Sequence, residues 1–247
     1  MIGVKSLRTK KTRDELGVFI VEGEKFVKEI PPDYRVVQYI VCDKFKKSTD
    51  FYQKRAKVLE VSKAVFDRVS ETTSPQGILA VVEKKRFTYE QTLVRDGFIL
   101  VCENINDPGN LGNLIRTAAA AEAACVVLTH NSVSVWNPKV LRSSAGAALK
   151  LPVIESANIT EAANFAKSQN IPIYAAHPRS NTHPYDLDLS KKFCLILGSE
   201  SHGLTETTKK QADALISLPM STNTESLSVA TAGAVIMYEA VRQKNSR

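Results

Sequence analysis

The sequence predicts an α/β protein. A mostly parallel sheet with helices on both faces is expected over residues 97–247, preceded by a small α/β unit over 1–88. Three observations predict it. From residue 97 onward, short apolar runs alternate with helix-length segments, as they do when helices cross between parallel strands. Before that point a shorter series of β-rich runs and helix-like segments ends near Glu83. Between the two lies EKKRFTYEQTLVRD (83–96), a polar stretch suited to a connector. With 247 residues and 43% hydrophobic content, the chain can bury the core that such an architecture needs.

In the first unit VFIVEG (18–23), VVQYIVCD (36–43), VLEVS (58–62) and GILAVVE (77–83) carry the β-branched and aromatic composition of strands. EKFVKEI (24–30), DFYQKRAK (50–57) and SKAVFDRV (62–69) fall between them as helices. The second unit opens with GFILVCE (97–103) as a strand and a turn, DPGN, leading into an alanine-rich helix. CVVLT (125–129) is the next strand, followed by a helix over 138–149, the strand LPVIE (151–155) and a helix near 160–169. IPIYAAH (171–177), FCLILG (193–198) and ALISLPM (214–220) complete the strands. One helix follows Gly203, and a last one runs from about Glu225 to Gln243.

Charge and cysteine usage narrow the function. Residues 1–90 carry a net +6 and residues 91–247 a net +1, so nearly all the surplus belongs to the first third. Lys5, Arg8, Lys10, Lys11 and Arg13 precede any acid. Such a patch draws polyanions, although a basic face kept for solubility has the same composition. Cys42, Cys102, Cys125 and Cys194 are far apart and three lie in apolar runs, which suits reduced core filler better than a disulfide frame. The four histidines lack metal-ligand spacing, so no metal is expected. G-x-S-x-G is absent, and so are the glycine patterns of dinucleotide and P-loop sites. No basic start followed by an apolar run, and no 18-residue apolar stretch, appears in the sequence, so a cytoplasmic protein that does not enter a membrane is expected.

Three polar clusters each close a strand of the second unit, where ligands bind in open α/β sheets. The first, NINDPGNLGNLIR (104–116), offers Asn110 as a helix cap and Arg116 as a guanidinium that could fork onto a phosphate. A plain cap with a surface arginine is the commoner arrangement for this motif alone. The second, GSESHGL (198–204), holds Glu200 between two glycines whose backbone can approach a ligand. A simple strand-to-helix turn has the same form. The third, LPMSTNTESLSVATAGAVIMYE (218–239), is a polar loop and then a helix of small and apolar residues. A tightly packed terminal helix would look the same.

Together and in order, DPGNLGNLIRTA, LILGSESHGL and LPMSTNTESLSVATA resemble the three signature motifs of the SpoU/TrmH group of SPOUT RNA 2′-O-methyltransferases. NPKVLRSSAGA (137–147) is similar to that family's segment between the first two motifs. SLRTKKTRDELGVFIVEGEKFVKEI (6–30) is similar to its small L30e-like substrate-binding domain. The resemblance spans almost the whole chain. It implies a trefoil knot in the second unit, a bent S-adenosylmethionine held at Gly198, Leu218 and Leu227 with Met220 beside them, and catalysis across a homodimer. It also implies that Arg116 and Asn110 stand at the target ribose, supported by Glu200, with Ser226 positioning that ribose. A guanidinium keeps its proton at neutral pH, which favours Arg116 as a grip on phosphate and on the forming alkoxide over Arg116 as a base. RNA, with ribosomal RNA foremost, is the implied partner, met by Arg8, Lys10, Lys11, Arg13 and Arg142. Two positions depart from the motif: Ser228 stands where the family has Asn, and Thr222 where it has Gly. The alternative to an enzyme is a non-catalytic RNA-binding or ribosome-assembly protein that keeps the knotted fold.

Overall fold

The computed structural model describes residues 4–221, 223 and 226–246. Thr222, one of the two departures from the motif, lies outside them. The first unit is a four-stranded sheet of β1 (Val18–Glu22), β2 (Val36–Cys42), β3 (Lys57–Val61) and β4 (Ile78–Glu83), in the order β1-β4-β2-β3. β4 runs antiparallel to both β1 and β2, and β2 pairs with β3 in parallel. All four were visible as apolar runs. A 3-10 turn at Val4–Arg8 and the helix α1 (Lys10–Leu16) come before β1, where the sequence showed only a basic segment. The intervening helices are α2 (Glu24–Lys28), α3 (Asp50–Gln53) and α4 (Lys63–Val69).

Alternation along β1 sends its side chains to two different places. Val18 and Ile20 face Leu7, Phe66, Leu79 and Val81 in a core of the first unit's own. Phe19 and Val21 face the other way and join the main core of the molecule. There the Phe19 ring lies 4.3 Å from that of Trp136, and Tyr34 packs edge-on against the same indole at 6.4 Å. Lys150 of the second unit reaches Glu29 of the first at 3.4 Å. One apolar core therefore runs through both units. The connector is docked as well: it forms α5 (Tyr89–Leu93), with a Thr88–Gln91 capping box, and Tyr89 stacks on Phe165 at 4.6 Å.

The second unit is a six-stranded sheet in the order β10-β8-β9-β5-β6-β7, and every pair in it is parallel. Its strands are β5 (Ile99–Cys102), β6 (Cys125–Thr129), β7 (Val153–Ala157), β8 (Ile173–Ala176), β9 (Cys194–Leu197) and β10 (Ala214–Ile216). The chain enters in the middle at β5, adds β6 and β7 on one side, then crosses to lay down β8. β9 fills the place between β8 and β5, and β10 completes the far edge. The helices are α6 (Pro108–Ala120), α7 (Pro138–Ser143), α8 (Ile159–Ser168), α9 (Glu206–Gln211) and α10 (Val229–Asn245). Leu100, Leu128, Leu195 and Leu197 face the core shared with α6 and α10. Ile99, Val101, Cys125 and Ile196 face the core shared with α8. Cys42, Cys102, Cys125 and Cys194 are free and buried. Burial pushes the Cys102 thiol up to about 12 and the Cys125 thiol to about 11.

Two helix boundaries differ from expectation. The helix expected over 138–149 stops at Ser143, because Ala145 and Gly146 adopt left-handed backbone (φ 50° and 84°) before a 3-10 turn at Ala147–Leu149. The last helix begins at Val229 rather than near 225, because Ser228 caps it and accepts from the Thr231 amide at 3.2 Å.

Candidate active site

The parallel strands place all their carboxyl ends at one edge of the sheet. Beyond β8, β9 and β10 that edge opens into a cleft of about 650 Å³. Gly198, Leu218, Met220 and Leu227 all line it, with Glu200 and Ser226 among its polar neighbours. Leu218 and Met220 follow β10, whereas Ser226 and Leu227 lead into α10, whose Ala232 and Ile236 close the floor. The sequence did not single out His177, Ser217, Lys209, Ala232 or Ile236, which also line the cleft. Positions just past a strand could have marked His177 and Ser217, and the small-residue stripe of the last helix Ala232 and Ile236; nothing marked Lys209, which lies within α9.

One wall of the cleft is the loop Gly198–Leu204. Gly203 N–H donates to the Ser199 carbonyl at 2.8 Å, and these two residues form an isolated bridge. A Cβ on Gly198 would stand 2.4 Å from the Gly203 carbonyl carbon, so the residue type is set by backbone packing. At the loop tip Glu200 is exposed, and its Oε1 accepts from Asn110 Nδ2 at 2.5 Å. Lys209, at the rim, is paired with Glu206 at 2.7 Å. That ammonium holds the Glu206 carboxyl below the usual range.

The first motif behaves differently from its sequence reading. Asp107, not Asn110, caps α6: its carboxylate accepts from the Asn110 amide at 2.7 Å, and Pro108 occupies the first helical position. Arg116 is then eight residues past Pro108, about 12 Å along the axis at ~1.5 Å per residue. Arg116 is exposed, is absent from the lining of the cleft, and makes no ion pair or hydrogen bond among the described residues. Its helix packs tightly on α7, since a Cβ on Gly112 would lie 1.9 Å from Ser143 Oγ.

The residues expected to face RNA differ in exposure. Arg13 is only 2% exposed, and its guanidinium donates to the Leu7 and Arg8 carbonyls at 2.9 and 2.7 Å. It braces the 3-10 turn and leaves the RNA-facing set. Burial lowers its pKa, offset in part by Glu71, Asp14 and Glu155. Arg8 is half engaged, donating to the Ser70 carbonyl at 2.6 Å with Glu71 3.8 Å away. Lys10 and Lys11 are exposed and only loosely paired, each 3.9 Å from an acid one turn on. Arg142 is half-buried in a small crevice between α7 and the first unit, beside Glu22 and Glu71. Among the described residues no group of three or more His, Cys, Asp and Glu gathers as a metal site would.

Ser228, the second departure from the motif, is the cap of α10. Asn and Ser rank together as caps, so the exchange leaves the helix start intact.

Comparison with known proteins gives the family. Residues 97–238 match the SpoU rRNA Methylase family, and residues 3–80 match the MRM3-like substrate binding domain. The chain is 30% identical over 234 residues to the 23S rRNA (guanosine(2553)-2′-O)-methyltransferase RlmP of Bacillus subtilis, covering 95% of this chain and 92% of that protein. It is 33% identical over 199 residues to the 23S rRNA (guanosine-2′-O-)-methyltransferase RlmB of Xylella fastidiosa, covering 78% of this chain and 80% of that one. Its fold matches the SpoU methyltransferase AviRb of Streptomyces viridochromogenes, solved with AdoMet, at a TM-score of 0.91 and 24% identity, over 98% and 97% of the two chains. A cleft built from the second and third motifs, at the carboxyl edge of an all-parallel sheet, and a family match over more than half the length lead to one assignment: the chain belongs to the SpoU rRNA methylase family.

Proposed function

We propose that this chain transfers a methyl group from S-adenosylmethionine to a ribose 2′-hydroxyl of RNA, with ribosomal RNA as the substrate class and the cytoplasm as its place of work. The observation that carries this reading is the convergence of Gly198, Glu200, Leu218, Met220, Ser226 and Leu227 on one cleft. Its volume suits a small-molecule site, and its walls combine apolar side chains with a few polar groups. The close backbone packing at Gly198 and the apolar faces of Leu218, Met220, Leu227 and Ile236 fit a flat, partly apolar donor.

When bound, S-adenosylmethionine supplies a methyl group on a sulfonium. The remaining roles belong to side chains. Leu218, Met220 and Leu227 exclude water from the cleft, and Ser226 hydrogen-bonds the ribose. Glu200 fixes Asn110 through the bond between them. Arg116, which has no ion pair or hydrogen bond among the described residues, grips the adjacent phosphate and stabilises negative charge building on the 2′-oxygen. Because Arg116 does not line its own chain's cleft, this reading places it over the cleft of a second copy, in a homodimer. Half-exposed Val235 and Tyr238 on α10, with Tyr185 nearby in the chain's 3-10 turn at Pro184–Asp186, offer an apolar face for that contact. Residues 1–88 act as the RNA-docking unit through Lys10 and Lys11, and residues 97–247 form the knotted transferase unit with Arg142 at the junction. The ribosomal assignment follows the relatives, which are named as 23S rRNA enzymes.

The test uses tritiated methyl donor with ribosomal RNA from cells lacking the gene. Arg116→Ala should lower incorporation by about 10²–10³-fold, the scale of removing one preorganised charge stabiliser, while donor binding measured by calorimetry stays unchanged. No incorporation by the unmodified protein into any RNA would favour the non-catalytic reading.

A further inference from the structure

Glu103, directly after β5, is 2% exposed and was not singled out in the sequence. A buried carboxylate needs donors, and this one has three. Its Oε1 accepts from Thr205 Oγ1 at 2.7 Å and from Thr208 Oγ1 at 2.8 Å, and its Oε2 accepts from the Thr205 amide at 3.2 Å. The Glu103 backbone N–H meanwhile donates to the Leu197 carbonyl at 2.8 Å. Leu197 ends β9, immediately before Gly198. Thr205 immediately follows Leu204 and caps α9. One residue therefore grips both ends of the loop that forms a wall of the cleft.

The hydroxyl chemistry adds directionality. Thr205 has a single hydroxyl proton, and giving it to Glu103 leaves a lone pair for the Thr208 amide, which donates to Thr205 Oγ1 at 3.2 Å. Glu103 thus orients the cap as well as anchoring it. Between these fixed ends lies Glu200, bonded to Asn110. Any slack at Thr205 reaches the cleft wall and the Asn110 contact together.

We propose that Glu103 is a positioning residue: by clamping Leu197 and Thr205 it sets the Gly198–Leu204 wall in the shape that receives the methyl donor. The donor part rests on the reading of the cleft given above.

The full-length protein carrying Glu103→Gln, Thr208→Val or Thr208→Ser tests it with three readouts. Glu103→Gln keeps the Oε1 acceptor but turns an NH₂ toward the Thr205 N–H. Amide hydrogen exchange from Gly203 to Thr208 should accelerate in Glu103→Gln and Thr208→Val, while the β5 and β9 amides stay protected. Affinity for S-adenosylhomocysteine should fall about tenfold, on the scale of one charge-assisted hydrogen bond. The donor KM should rise in step with little change in kcat, and Thr208→Ser should restore both. A role confined to stability would lower the active fraction, and so kcat, with KM unchanged. That result, or unaltered exchange in the loop, overturns the proposal. Should Glu103→Gln fail to fold, the two Thr208 variants decide it alone. If the unmodified protein binds no S-adenosylhomocysteine, the cleft reading falls and the donor role falls with it, and the exchange data then judge the clamp by itself.

Discussion

The atoms nearest a Cβ built on Gly198 are backbone: the Gly203 carbonyl carbon at 2.4 Å, its oxygen at 2.5 Å and the Leu204 nitrogen at 2.7 Å. Backbone that is itself bridged to Ser199 cannot swing aside as a side-chain tip could. Gly198→Ala should therefore cost about 1–3 kcal/mol, the range for forcing a methyl into packed surroundings, and should abolish S-adenosylhomocysteine binding. A thermal melt and a calorimetric titration check both. Gly203, only five residues away, has nothing within 4 Å of the same construction, so its requirement is conformational rather than steric. The sequence marked both glycines alike and could not tell these two reasons apart. It failed differently at Arg13 and Glu103. A cation in a basic run reads as solvated, and an acid after a strand reads as the start of a loop. Arg13 is buried because its guanidinium folds back onto carbonyls five and six residues before it, and Glu103 because hydroxyls more than 100 residues further on supply its partners.

Strands were legible element by element, because burial on both faces leaves short continuous apolar runs rich in β-branched residues. Helix ends were less so. Whether Asp107 or Asn110 caps α6 depends on which side chain meets a free amide, and both residue types suit the position. The break at Ala145 rests on an alanine in left-handed backbone, which composition does not announce. α10 carries a feature that pH can probe. Glu239 receives both Arg242 Nε and Nη2 at 2.8 Å and Gln243 Nε2 at 2.9 Å. The Arg242 guanidinium foremost, then Gln243, holds its carboxyl down from 4.5 to about 2. A carboxyl depressed in the folded state stabilises it fully above the unfolded value, and that stabilisation fades as pH falls through the folded one. Glu239→Gln should therefore melt below the unmodified protein at pH 7, and the gap should shrink between pH 4.5 and about 2. Melting curves across that window would show a constant gap if the pair contributed nothing.

At the scale of the whole molecule, the two sheets are joined by more than a connector. Trp136, the chain's single tryptophan, is buried between Phe19 and Tyr34 of the first unit. Trp136→Ala should cost about 3–5 kcal/mol, as large buried aromatics do, and should split one unfolding transition into two. Circular dichroism and calorimetry would register the split, and a single transition in the variant would show that the units are coupled by other contacts. The sequence suggested two units but gave no sign of their common core, because the first four positions of β1 are all apolar and only alternation in space assigns Phe19 outward. The strand order carries a consequence for biosynthesis. During synthesis from the amino end, β8 emerges before the strand that separates it from β5, so the sheet's centre stays vacant until residues 194–197 leave the ribosome. Long-range parallel pairing is slow to form, and here it cannot finish without that late insertion. The cleft, assembled largely from the tips of the last three strands, is thus among the final features to mature, and a nascent chain halted before Cys194 carries a half-built sheet with exposed edges open to misassembly.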